Sequence, residues 1–290
     1  MFGLPLELID CIIYFTQNKV IELSLVNKYF NSNVKSIRIR NNYFYPWIKD
    51  ENLVELPNLR HLHLRNNDII TDKGLKNLHN LFFLDIGLNS NITNEGISHL
   101  TNLKCLDLCS KRNITDDGIS HLTNLVELDL SFNSKISNKG ISKLSNLVSL
   151  NLTNNDSISD RGLVNPLNIT YLHLVNNRLI TDEYLSKCIN LLFLDLAYNK
   201  KITNDGINSL TNLTSLSLQG NKNINNIKSL TNLQKLILYG NIIITNNDLT
   251  HLTKLTKIYL SYNTVIVEEK LEILPNLRKI IRSENINIDS

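Results

Sequence analysis

Much of what a sequence uses to mark a site is missing from these 290 residues. Neither sign of charge prevails: 30 Lys and Arg against 27 Asp and Glu leave a net charge of +3, too mild to indicate nucleic acid or a membrane surface. No stretch approaches membrane-spanning length. The opening Met-Phe-Gly-Leu-Pro-Leu-Glu-Leu-Ile-Asp has no basic leader, and Glu7 and Asp10 interrupt its apolar run, so no secretory signal is expected. Four cysteines, Cys11, Cys105, Cys109 and Cys188, form no disulfide framework. Cys105 and Cys109 share one extended segment, which separates them by roughly 13 Å against a Cα limit of about 7 Å for a bridge. Free thiols suit a reducing compartment, so the expected location is intracellular, in the cytoplasm or nucleus. There is no Gly-rich phosphate loop, no Cys-x-x-Cys and no nucleophile motif. His61 and His63 lie two residues apart and read as paired surface histidines rather than as metal ligands with Cys105. No catalytic residue, metal or cofactor is expected.

What is present is repetition. The phrase L-x-x-L-x-L-x-x-N-x-x-I-T-D-x-G-I-x-x-L-T-N restarts eleven times, at Leu59, Leu81, Leu103, Leu125, Leu147, Ile169, Leu191, Leu213, Leu233, Leu255 and Leu277. Every step is 22 residues except the 20 between Leu213 and Leu233. With the first Leu as position 1, positions 4 and 6 share one face of a short strand and point inward, while 3, 5 and 7 face out. Positions 12, 17 and 20 return to the same core. Gly at position 16, as at Gly74 and Gly96, is expected to permit a tight turn. Thr or Ser at position 13, followed by Asp or Asn, can cap a short helical limb. Position 9 carries Asn67, Asn89, Asn133, Asn155, Asn177, Asn199, Asn221, Asn241, Asn263 and Asn285. An amide donates and accepts at once, so these residues are expected to form a buried ladder of hydrogen bonds. Lys111 is the exception and should interrupt it. The short unit from Leu213 lacks the Asp-x-Gly step and should lack its helical turn. Val34, Ile37, Ile39 and Asn42 fit a degenerate first unit, and Arg282, at a core position of the last, suggests a polar terminal cap.

A fixed period carrying L-x-x-L-x-L-x-x-N resembles the leucine-rich repeat superfamily. The resemblance implies an α/β solenoid: a horseshoe with a parallel concave sheet and short convex helices or turns. Residues 34–290 would form it, with a degenerate first unit at 34–58, ten units at 59–276 and a partial unit at 277–290. The Ile-Thr-Asp-x-Gly step looks like that of F-box/leucine-rich-repeat proteins. The 22-residue length and the Asn at position 9 are also similar to bacterial surface repeats.

Residues 1–33 read as two short amphipathic helices. Leu4, Leu8, Ile12 and Phe15 share one helical face, with Pro5 in the first turn. Such helices can cover the open end of a solenoid or present apolar side chains to a partner. The wording Leu-Pro-x-Glu-Leu, then Leu25-Val26-Asn27-Lys28-Tyr29-Phe30, resembles a truncated F-box. That resemblance implies a Skp1-like adaptor docked on Leu4, Pro5, Leu8, Ile12 and Ile13. It further implies a substrate-recognition subunit of a Skp1–cullin–F-box ubiquitin ligase. The alternative is a leucine-rich-repeat binding protein with no ubiquitin role, whose helices only cap the solenoid.

On the outward strand positions, Arg38, Arg40, His61, His63 and Arg65 make one end basic. Asp85, Asp107, Glu127 and Asp129 make the middle acidic, and Lys235, Tyr239, Lys257, Tyr259 and Lys279 give a basic, aromatic far end. The Asp residues at position 5 fit an ordinary solvated face as well as a binding one. A protein target is expected on the concave side, at Lys235, Tyr239, Lys257 and Tyr259, with Asp107 and Asp129 as the competing location. Neither nucleic acid nor a membrane is expected as partner.

Overall fold

A computed structural model describes residues 35–38 and 49–282, with Ile37 and Arg38 described by backbone alone. Leu4, Pro5, Leu8, Ile12, Ile13, Val34, Ile39, Asn42 and Asn285 lie outside the described residues. Each unit contributes a three-residue strand at positions 3 to 5. These are β1 (Ser36–Arg38), β2 (His61–His63), β3 (Phe83–Asp85), β4 (Cys105–Asp107), β5 (Glu127–Asp129), β6 (Ser149–Asn151), β7 (Tyr171–His173), β8 (Phe193–Asp195), β9 (Ser215–Ser217), β10 (Lys235–Ile237), β11 (Lys257–Tyr259) and β12 (Lys279–Ile281). They form a 12-stranded sheet in sequence order, every described pair parallel and every register step joining equal positions of successive units. Ile37 thus pairs with Leu62, extending the repeat back to residues before the first full phrase.

The return limbs carry single helical turns, such as Asp72–Leu75 and Asn94–Ile97. A further turn at Asp50–Val54, which carries no Ile-Thr-Asp-x-Gly wording, gives the degenerate first unit a helical limb as well. The short unit has no helix between Leu218 and Gln234. Apolar positions 1, 4, 6, 12, 17 and 20 meet in one continuous core from Leu53 to Leu274. Full burial contributes about 1.5–3 kcal/mol per Leu or Ile side chain, and a unit reaches it only when a neighbour covers each side.

Three hydrogen-bonded rows run along the stack. The first is at position 9. Asn133 Nδ2 donates to the carbonyls of Lys111 (2.9 Å) and Leu108 (3.3 Å) in the preceding unit. Its Oδ1 accepts from the N–H groups of Lys135 and Ile136, closing its own turn. Asn155, Asn177, Asn199, Asn221, Asn241 and Asn263 repeat the pattern, all buried. To aim position 9 inward, the chain turns through left-handed backbone at position 8 in each described unit from Asn66 (φ 57°) to Tyr262 (φ 55°). That conformation favours Gly or Asn, yet Leu88, Phe132 and Tyr198 adopt it too.

The second row binds the helical turns together. The carboxylate of Asp72 accepts from both the N–H and the hydroxyl of Thr93, each at 2.7 Å, and Asp116 does the same for Ser137. The third lies at position 22, where Asn80, Asn102, Asn124 and their equivalents donate to a carbonyl of the preceding unit.

The second row corrects the reason for Gly at position 16. These glycines sit in right-handed helical turns, with no left-handed backbone to accommodate. A Cβ on Gly96 would lie 2.2 Å from Asp72 Oδ1, and one on Gly140 would lie 2.4 Å from Asp116 Oδ1. At these positions Gly leaves room for the neighbouring carboxylate, although the same joint forms between Asp160 and Thr181 with Tyr184 at position 16. Asp248 shows the joint from the other side: Thr245, which follows the short unit, bonds Asp248 at position 16 of its own turn in place of a carboxylate from the preceding unit.

One ladder expectation also changes. Lys111 does not break the row on its donor side: it is buried, and its ammonium donates to the carbonyl and side-chain oxygen of Asn89. What is lost is the acceptor, because an ammonium has no lone pair for the N–H groups of Asn113 and Ile114. At the far end, the carbonyls of Leu260 and Asn263, which the repeat would assign to Asn285, accept from Arg282 Nη1 at 3.5 and 2.9 Å. Arg282 also donates to the carbonyl of Ile266 and pairs with Glu268.

Candidate functional site

The outward face of the sheet is where side chains escape the repeat's internal needs, and its three zones differ in how far the fold already occupies them. In the first, over β2 to β5, Asp85, Asp107 and Asp129 stand side by side on adjacent strands. Each carboxylate accepts the N–H two residues on, at Gly87, Cys109 and Ser131. Arg65 crosses two strands to pair with Asp107 at 2.6 Å. Gly87 leaves the path open, since a Cβ there would meet the Arg65 guanidinium at 3.0 Å and Asp107 at 3.2 Å. Burial, reinforced by the like charges of Asp85 and Asp129, pushes Asp107 up to about 6. Asp129 accepts from the hydroxyl of Ser131 and from Asn151. The acidic middle is therefore largely engaged within the chain.

The second zone, over β7 and β8, is one the sequence reading passed over. Tyr171 stacks on Phe193 with ring centroids 6.1 Å apart, and His173 lies 4.7 Å from the same ring. His173 Nδ1 is 3.9 Å from Asp195 Oδ2. Burial lowers the His173 pKa against the opposing pull of Asp195. The arrangement repeats one at the N-terminal end, where His63 lies 4.5 Å from Phe83 and 3.9 Å from Asp85. The available signal was an aromatic residue at position 3 next to a His at position 5 of the preceding unit.

The third zone brings Lys235, Tyr239, Lys257 and Tyr259 together on β10, β11 and the turn after β10. The two tyrosine rings meet edge to face at 5.8 Å, and Lys235 Nζ sits 5.3 Å from the Tyr259 ring centre. Lys235, Lys257 and Lys279 align in register. Burial raises the Tyr239 pKa, with Tyr259 adding to it.

Among the described residues, no group of three His, Cys, Asp or Glu side chains is placed to hold a metal, and no helix is long and apolar enough to cross a membrane. A cleft of about 390 Å³ lies at the turns after β7 and β8, lined by Asn176, Arg178, Lys200 and Lys201.

Stacked parallel strands, return limbs of one helical turn and an internal Asn row define a leucine-rich-repeat solenoid. Stretches 55–78, 121–145, 143–165 and 187–210 match the leucine-rich repeat family. An internalin (inlF) of Listeria monocytogenes has a similar fold, with a TM-score of 0.60 at 23% identity over 96% of this chain and 88% of that one. The functional domain of InlJ from Listeria monocytogenes, which includes a cysteine ladder, aligns with a TM-score of 0.54 at 21% identity over 87% of this chain and 54% of that one. A chain of the Toll–Spatzle complex of Drosophila aligns with a TM-score of 0.55 at 19% identity over 82% of this chain and 38% of that one. Among curated proteins, none matches the sequence.

Proposed function

We propose that this chain is a protein-binding scaffold that performs no chemistry, and that its partner lies on the outward face of the sheet. The observation carrying this reading is the contrast between zones. Asp85, Asp107 and Asp129 of the acidic middle are engaged by the fold, whereas Lys235, Tyr239, Lys257 and Tyr259 gather into a patch that no repeat position requires. Tyrosine offers a large contact area at low entropic cost, which suits a protein interface. A chain of similar fold occurs in the Toll–Spatzle complex, which is consistent with this use of the solenoid.

The more specific part of the proposal concerns residues 1–33. Their Leu-Pro-x-Glu-Leu wording supports a Skp1-like adaptor held by Leu4, Pro5, Leu8, Ile12 and Ile13, with the solenoid presenting a target to a ubiquitin ligase. One capture experiment with the full chain tests both levels. Tyr239→Ala with Tyr259→Ala should weaken target capture and leave adaptor capture intact, while Leu8→Asp should do the reverse. Retained target capture by the tyrosine double variant, with loss on changing Asp107 and Asp129, would move the target to the acidic middle. An intact chain that retains no Skp1-like protein leaves a scaffold without a ubiquitin role.

A further inference from the structure

The strand-side segments of the last four units, 214–220, 234–240, 256–262 and 278–282, contain no Asp or Glu. They carry Lys235, Lys257, Arg278 and Lys279, in addition to Arg282, which closes the Asn row. Lys235, Lys257 and Lys279 are matched across neighbouring strands, which lie about 4.8 Å apart. Like charges directly opposite one another destabilise a sheet. Among the described residues these three find no ion pair: every such pair lies elsewhere, and Lys235 has the ring of Tyr259. Upstream the situation is opposite, because Arg65 spans two strands to reach a carboxylate. A cationic row with no carboxylate partner among the described residues, beside an ordered aromatic pair, is a surface suited to an anion from outside.

Resting on the reading of this face as the partner's seat, we propose that β10 to β12 recognise an acidic, extended segment of the partner protein. Three lysines at strand spacing cover about 10 Å, and alternate side chains of an extended chain lie about 6.8 Å apart. Two carboxylates on one side of such a segment therefore fall within reach of all three ammonium groups. A side chain between or beside them meets Tyr239, Tyr259 and Ile237, where apolar contact and cation–π attraction act together. Nucleic acid fits less well. The tyrosines stand edge to face rather than as a platform for stacked bases, and a row of three lysines is a short track for a phosphate backbone.

The test uses the full chain and three dye-labelled probes: a Glu-Tyr copolymer peptide, its Lys-Tyr counterpart, and a single-stranded oligonucleotide. The acidic peptide should bind with an affinity that falls as salt is raised, and the basic one should not bind. Reversing the row (Lys235→Glu, Lys257→Glu, Lys279→Glu together) should weaken the acidic peptide by more than about tenfold, which is about 1.4 kcal/mol. These side chains are outward-facing, and an unchanged thermal melt confirms that the variant is folded. Equal binding by parent and reversed chain overturns the proposal, as does tighter binding of the oligonucleotide than of the acidic peptide. A photo-reactive side chain at Ser215, on the same face, separates this from the broader reading. If it crosslinks a cellular protein while the acidic peptide fails to bind, the acidic chemistry is wrong and the scaffold stands. If it and an equivalent at Tyr171 crosslink nothing, the sheet face is not the seat at all.

Discussion

Lys111 shows what one ladder position has to supply. An amide there satisfies two carbonyls of the preceding unit and two N–H groups of its own turn. The ammonium of Lys111 replaces the donor half alone and brings a charge into a buried site. Burial holds its pKa down to about 8, against 10.5 for an ordinary lysine, with Asp72 and Asp68 pulling weakly the other way. The native state therefore releases the proton before the unfolded chain does, so stability rises with pH between about 8 and 10.5 and is lowest below that window. At about 1.36 kcal/mol per pH unit, the gap between 8 and 10.5 sets an upper limit of about 3.4 kcal/mol on the penalty at neutral pH. Lys111→Asn should remove it and restore the acceptor. Urea melts at pH 7 and at pH 10 check this: the variant should gain at the lower pH and show a flatter pH profile than the parent. A variant less stable than the parent at pH 7 would show that the lysine stem, rather than the polar row, governs this site.

The helical turns follow the same logic one level up. A turn of four residues is too short to hold itself, since helix nucleation is costly and each end leaves four backbone groups unpaired. Thr93 and Ser137 cap their own turns by accepting from the N–H two residues on, and each donates its hydroxyl to the Asp of the preceding unit. Where that neighbour is Asn, as at Asn94 and Asn138, the amide donates to the hydroxyl of Thr115 or Ser159 instead, and neither residue then caps its turn. Gly at position 16 is part of this joint. Gly96→Ala should destabilise the chain, even though Ala is favoured over Gly inside a helix by about 1 kcal/mol. In an Asp72→Ala background the same change should cost less, because the carboxylate oxygen nearest the new Cβ is gone and only the backbone Cα at 3.2 Å remains. A double-mutant cycle by chemical denaturation reads the coupling, and additive effects would disprove the steric explanation.

For the whole molecule, stability is a sum over neighbouring units, so each joint, such as that between β11 and β12, governs how its own region opens. Arg282 donates to the carbonyls of Leu260 and Asn263, which the repeat would assign to Asn285, and to that of Ile266. Arg282→Ala should leave the middle of the solenoid unchanged while β11 and β12 exchange their amide hydrogens faster. Hydrogen-exchange mass spectrometry resolves the two regions. Acceleration spread evenly over all units would mean that Arg282 acts on the global fold rather than on its end.

The repeated phrase by itself determined the architecture. Its apolar period sets which residues face the core, its Asn marks the internal row, and its 22-residue step makes equal positions neighbours. A local pattern suffices because each unit meets only the units beside it. What the tertiary structure decided are the relations between units that one unit's wording does not contain. Gly96 leaves room for Asp72, Gly87 makes way for Arg65, and Arg282 reaches carbonyls that the pattern assigns to Asn285. The candidate site divides the same way. Lys235, Tyr239, Lys257 and Tyr259 were legible as departures from the consensus at outward positions. That Asp107 and Asp129 are already engaged, and that Tyr171, His173 and Phe193 gather into a second cluster, emerged only from stacking. Side chains 22 or 42 residues apart become neighbours through the sheet, and their pairing depends on distances that no single unit encodes.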